Sequence, residues 1–195
     1  MNIFFCFFVN SKEIKEVNKE DSLRENEMGL INKNTEMDRK ATQILEASGL
    51  LSRPIDIVKL AHEKYDFLIL ETLLPRKITG MLAVSSDGPV LGTSHKKVIV
   101  VSSALSSIRQ RFVIAHELAH FISNNEGQSG SLYFRDYDNA QTPEEQEADL
   151  LARCLLMPSK LIKEVGITDK DSVSLIAEKF WVSEQRAEER IHDME

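Results

Sequence analysis

The chain has 195 residues, 42% of them hydrophobic, and a formal net charge of −7. That is enough apolar material for one cored domain, and it excludes a disordered or collagen-like chain. The acidic balance argues against nucleic-acid binding through overall charge. The two cysteines, Cys6 and Cys154, make no disulfide framework and fit a reducing cytoplasm.

The first ten residues are apolar but too short to span a bilayer, and they carry neither a basic leader nor a clear cleavage pattern. No secretion signal and no membrane association are expected. Residues 11–37 are rich in Lys, Glu and Asn, so residues 1–37 are read as a mobile tail. Asp38 is the expected cap of a first helix carrying Ala41, Ile44 and Leu45, with Gly49 as its stop. Pro54 is expected to open a second helix reaching about Tyr65, with His62 as a boundary residue. Phe67–Leu70, Ile78–Val84 and Val98–Val101 read as strands, with a turn at Asp87-Gly88-Pro89. Helices, a small antiparallel-type sheet and further helices make an α+β domain over residues 38–165.

The next helix is expected from a cap at Ser102-Ser103 to about Asn125, and it contains His116-Glu117-Leu118-Ala119-His120. Positions i and i+4 of a helix share a face, so His116 and His120 can grip one metal ion. Glu117 beside them is placed to take a proton from the attacking water. A bare match of this kind arises by chance, and two surface histidines on an amphipathic helix would look the same. A catalytic zinc site needs a third protein ligand and an open position.

Residues 124–141 read as a polar, glycine-rich loop joining this helix to the next. Its Tyr133 and Tyr137, together with His95, are the candidate donors for stabilising an oxyanion. Thr142-Pro143 then opens a helix ending near Met157-Pro158. Glu145 is the preferred third ligand, because Asp149 lies four residues on and shares its face. A ligand histidine usually donates its other ring N–H to a carboxylate. Thr142-x-x-Glu145 is also a capping box, and Glu147 is the fallback ligand. Cys154 lies off that face and is expected to be buried. A short helix over Ser159–Val165 stops at Gly166. Residues 166–195 form a helical appendage with a second helix capped by Asp171 or Ser172. The shape Ile176-Ala177-Glu178-Lys179-Phe180-x-Val182-Ser183 resembles a helix-turn-helix fragment, with Trp181 in place of the usual turn glycine. Its last helix carries Glu184, Glu188 and Glu189, so direct DNA binding is not expected.

Three blocks, Arg111–His120, Glu145-Gln146-Glu147-Ala148-Asp149 and Leu155-Leu156-Met157-Pro158, resemble the ImmA/IrrE-type metallopeptidases, small zinc enzymes of the gluzincin class. The likeness extends over roughly Asp38 to Ile191. It implies that Glu145 is the third ligand and that Asp149, where many relatives have asparagine, orients the first histidine. It also implies a sheet packed on the His-bearing helix, with peptide substrate laid along a sheet edge, for which Ile78–Val84 and Val98–Val101 are the candidates. The implied activity is a zinc-dependent endopeptidase acting on an intracellular protein, typically a helix-turn-helix repressor. Manganese and iron are the alternative metals. The rival expectation is a non-catalytic, zinc-stabilised regulator that sequesters a repressor or toxin, although such a site has no need of Glu117.

Overall fold

A computed structural model describes residues 29, 31–123, 132–134, 142–165 and 172–195. Within them the order is α1 (31–47), α2 (Ile57–Lys59, continuing as a π-helical turn over Leu60–Lys64), β1 (Leu68–Thr72), β2 (Gly80–Val84), β3 (Lys97–Ser102), α3 (Ser107–Ser123), β4 (Leu132–Phe134), α4 (Pro143–Leu156), α5 (Ser159–Glu164), α6 (Ser172–Phe180) and α7 (Glu184–His192). The class is α+β, as the element pattern implied. Residues 1–28, including Cys6, lie outside the described residues, as do Tyr137, Gly166 and Asp171.

The sheet order is β1-β3-β2-β4. β2 runs antiparallel to β3 and to β4, while β1 runs parallel to β3, so the sheet is mixed. The chain leaves β1, lays β2 one strand further out, and returns with β3 to fill the gap between them. Ile78–Val84 and Val98–Val101 are therefore interior, and the sheet edges are β1 and β4. β4 arises within the stretch expected to be only loop. Its Leu132-Tyr133-Phe134 are strand formers, but three residues give too short an alternation to register as a strand.

Side chains alternate across the sheet as the pleat requires. Leu82, Ile99 and Val101 point into the main core with the helices, while Ala83, Val98 and Val100 form a smaller cluster with Leu68, Leu70 and Met81 on the other face. Both faces are covered, which is why Val98–Val101 is uniformly apolar. α3 lies on β2 and β3 with one side and packs along α4 with the other. It is buried along its length from Arg111 to Ala119.

Several helix ends differ from expectation. α1 already runs through residues 31–37, so Asp38 sits inside it and caps a different helix. The Asp38 carboxylate accepts the backbone N–H of Ser159 at 2.9 Å, where α5 begins without a cap of its own, and also pairs with Ser159 Oγ and the buried Arg190 guanidinium. Arg190 donates further to Met157 O at 2.9 Å. Gly49 does stop α1, at φ +66°, with Leu50 N bonding to Leu45 O and Gly49 N to Glu46 O. α2 starts after Pro54: Asp56 caps it by accepting from Lys59 N at 2.9 Å. α3 starts at Ser107 because Ser102 is taken by β3, where it pairs with Thr72 of β1. At the end of α6, Trp181 takes φ +53° in place of a turn glycine. The Arg111 guanidinium stacks on its ring at 4.9 Å, and Arg111 Nε donates to its carbonyl.

Candidate metal centre

The candidate metal site is assembled from two helices. α3 is locked by burial on three sides, so the His116 and His120 rings lie one turn apart with their centroids 4.7 Å apart. α4 begins where Thr142 Oγ1 accepts from Glu145 N at 3.3 Å, with Pro143 in the first turn. The capping hydroxyl bonds the backbone of Glu145 and leaves its carboxylate directed at α3. His116 Nε2 lies 2.9 Å from His120 Nε2 and 3.6 Å from Glu145 Oε2, and His120 Nε2 lies 3.3 Å from Glu145 Oε1. Tetrahedral zinc with bonds near 2.0–2.1 Å holds neighbouring donors about 3.4 Å apart. The donor triangle brackets that value, and a His₂Glu set is the chemistry zinc takes in hydrolases. Among the described residues, His116, His120 and Glu145 are the one cluster of such side chains able to hold a metal ion. Glu147 is not in it; its carboxylate pairs with Lys33 at 3.5 Å.

Behind the ligands, His116 Nδ1 lies 2.6 Å from Asp149 Oδ1. That contact fixes the ring so that Nε2 faces the other two donors. Burial alone would raise the Asp149 pKa, but the His116 hydrogen bond and charge, with Arg186 and Arg153 nearby, bring it down to about 2. Asp149 therefore stays ionised at any ordinary pH. Its other oxygen, Oδ2, accepts from Arg186 of α7 at 3.3 Å. Arg186 also pairs with Glu189 at 2.7 Å and stacks 3.9 Å over Phe112, whose ring lies 6.2 Å from that of His116. Arg153, one turn beyond Asp149, pairs with Asp193 at 2.7 Å. Sequence alone placed α7 in an appendage. Its role behind Asp149 lies 37 residues away in the chain and leaves no local signal.

Glu117 is 2% exposed and lies under the start of β2. A Cβ built at Gly80 would overlap Val113 Cγ1 and come within 3.1 Å of Glu117 Oε1, so only glycine lets the strand sit this close to the carboxylate. The candidate oxyanion donors fare differently. His95 lies in the turn joining β2 to β3, beyond Val84, whereas Glu117 abuts Gly80 at the opposite end. The His95 Nδ1 lies 3.3 Å from Ser94 Oγ. Tyr133 lies in β4, opposite Leu82. Tyr137 is outside the described residues. His62 is exposed, with Nδ1 3.3 Å from Phe67 O, as befits a boundary residue. Among the described residues no helix is long and apolar enough to cross a membrane.

Against known proteins, residues 76–192 match the model of the IrrE N-terminal-like domain, peptidase M78. A solved Mycobacterium tuberculosis transcriptional regulator shares the fold, with a TM-score of 0.55 at 16% identity over 80% of this chain and 47% of that one. The chain thus spans about half the length of that structure. No curated protein matches.

Proposed function

The chain belongs to the IrrE N-terminal-like domain family (peptidase M78), and from that premise we propose that it is a zinc-dependent endopeptidase cutting an intracellular protein, most simply a helix-turn-helix repressor. One observation carries the reading: three donor atoms from α3 and α4 converge within 2.9–3.6 Å, with Asp149 behind one of them and Glu117 on the next residue of the same helix. His116, His120 and Glu145 would hold the metal, zinc by donor chemistry, with manganese or iron as alternatives. When bound, the metal polarises the scissile carbonyl and acidifies water in its open position. Glu117 takes the proton of the attacking water and hands it to the leaving amine. Its burial under Gly80 excludes bulk water from that transfer. Asp149 keeps His116 in the tautomer that leaves Nε2 free to coordinate.

The alternative, a zinc-stabilised regulator that binds without cutting, accounts for the ligand triangle but not for an acid buried beside it. DNA binding by α6 and α7 is disfavoured. Both α7 arginines point inward, Arg186 to Asp149 and Glu189 and Arg190 to Asp38, so the helix keeps no inner cation to offer phosphate. The deciding experiment co-expresses wild type or Glu117→Gln with helix-turn-helix proteins encoded beside it. Fragments should appear with wild type only, with zinc retained in the Gln variant. A stable complex yielding no fragments from either would favour the regulator, and full activity of Glu117→Gln would remove Glu117 from the mechanism.

A further inference from the structure

β1 forms one edge of the sheet, and among the described residues no strand lies on its outer side. Ser103 N donates to Thr72 O at 2.8 Å, so Thr72 turns its backbone groups towards β3. Backbone polar groups alternate along a strand. Leu70 and Leu68 therefore also face β3, while Ile69 and Glu71 present their N–H and C=O outward. Phe67, next in that alternation, is already engaged: its N–H donates to Ala61 O at 3.0 Å, and its carbonyl lies 3.3 Å from His62 Nδ1. Sheet edges are commonly guarded by Lys, Pro or a bulge. Leu68-Ile69-Leu70-Glu71-Thr72 carries none of these, and its register against β3 is unbroken over all 5 residues. The opposite edge, β4, has only 3 residues. The side chains of Leu68, Ile69 and Leu70 are half-buried, and Leu73, just beyond the strand, is 77% exposed.

We propose that a second copy of this chain pairs with β1 across a twofold axis, antiparallel, with Leu70 opposite Leu70 of the other copy. Ile69 and Glu71 of one copy then exchange backbone hydrogen bonds with Glu71 and Ile69 of the other, on both sides of the axis. The two four-stranded sheets become one. Neighbouring registers are worse. A slip of one kind sets Glu71 directly opposite Glu71, a like-charge pair. The opposite slip sets Glu71 opposite Phe67, whose N–H is already taken within its own chain. Charge suits the register too. Asp66 and Arg76 are exposed, and neither has an ion-pair partner among the described residues. Pairing about Leu70 brings Asp66 opposite Leu74 of the other copy, close to Arg76, at both ends of the contact. The exposed Leu73 comes opposite Phe67 and is covered. A strand pair this short buries less than a standard interface of about 1,600 Å², so the dimer is weak, with a Kd of roughly 10–100 μM. β1 and β4 are opposite edges, so the pairing leaves β4 and the surroundings of Glu117 as they are. The proposal is independent of the protease reading.

Sedimentation of the full chain over about 1–500 μM tests it, and wild type should pass from monomer to dimer across that range. Glu71→Pro removes an outward N–H and leaves the bonds to β3 intact. It should raise Kd about tenfold or more with little change in melting temperature. Should that variant fold poorly, Leu70 reads the same contact by charge. Leu70→Lys and Leu70→Glu should each be monomeric, and their equimolar mixture should dimerise. Register is read by crosslinking in a Cys6→Ser background. Leu70→Cys should form a disulfide between copies under mild oxidation, whereas Thr72→Cys, which faces Leu68, should not. A chain that stays monomeric at the highest concentration overturns the proposal. So does a dimer indifferent to Leu70 and Glu71, which puts the contact elsewhere on the surface, and so does equal crosslinking at residues 70 and 72.

Discussion

A methyl group added at Gly80 measures how closely the sheet is seated on the helix that carries the two histidines. The new Cβ would overlap Val113 Cγ1, lie 3.1 Å from Glu117 Oε1 and 3.5 Å from Val100 O. Carbon atoms rest about 3.5–4.0 Å apart, so β2 and α3 must separate or Val113 must leave its rotamer. Val113 is 7% exposed and has little room to turn. Overpacking of this kind costs about 1–3 kcal/mol, or roughly 2–12 °C in Tm for a chain of this size. The contact with Glu117 is milder and asks for a shift of a few tenths of an ångström. Since about 1 Å of misplacement can cost 10²-fold in rate, kcat should fall several-fold while zinc affinity holds. Val113→Ala separates the two effects. Alone it costs roughly 1–3 kcal/mol as a core truncation, but combined with Gly80→Ala it gives the new methyl somewhere to go. The double variant should be more stable than the sum of the singles by about 1–2 kcal/mol. Its kcat should stay low, because the Glu117 contact persists. Urea unfolding of the four proteins, zinc titration, and cleavage of the substrate identified by co-expression supply the readings. A Gly80→Ala protein as stable as wild type, or a penalty indifferent to Val113, would refute the close seating.

Further outcomes follow from the charges around α4 and α7. Arg186→Ala removes the cation from Asp149 Oδ2 and should weaken zinc binding several-fold at unchanged fold, with Arg186→Lys recovering part of it; competition with a chromogenic chelator measures both. Arg190 is 1% exposed, so Arg190→Met leaves the Asp38 carboxylate without its cation, held only by Ser159, and should cost about 3–5 kcal/mol by urea unfolding. Burial pushes the Cys154 thiol up to about 12 from 9.0, so a Cys6→Ser protein should ignore Ellman's reagent at pH 8 until unfolded. Because the unfolded thiol ionises first, the stability this group contributes is complete below pH 9 and is lost as pH climbs towards 12. Asp149 works in the opposite direction: its pKa falls from 3.8 to about 2, so its contribution is complete above pH 3.8 and disappears on acidification towards 2, readable in acid unfolding of the metal-free chain.

The sequence exposed the parts of the centre that are local. His116 and His120 share a helix face by spacing, Thr142-Pro143 marks the turn from which Glu145 projects, and Asp149 follows one turn later. Each depends on residues within about one helical turn, where periodicity and capping are strong signals. What stayed hidden depends on distant residues. Ser102 reads as a helix cap until β1 claims it as a strand partner. Asp38 reads as the start of its own helix, yet it serves α5 from 121 residues away. The order β1-β3-β2-β4 puts both candidate edge strands inside the sheet, and no pattern within a strand encodes its neighbours. Trp181 in a left-handed conformation was visible only as a missing glycine, since its support comes from Arg111 on α3.

The double grip on α4 has a consequence for solution conditions. One flank of this helix is held to α3 by buried apolar packing, which added salt does not weaken. The other is held to α7 by Arg186–Asp149, Arg153–Asp193 and Arg153–Glu189, whose side chains are 13–33% exposed and within reach of dissolved ions. Rising ionic strength should therefore loosen the Arg186–Asp149 contact before the core yields, while α7 stays anchored by the buried Arg190 and Ala187 and the ligand triangle stays assembled. Sodium chloride would then act as a graded control on metal retention in a protein whose melting temperature barely changes.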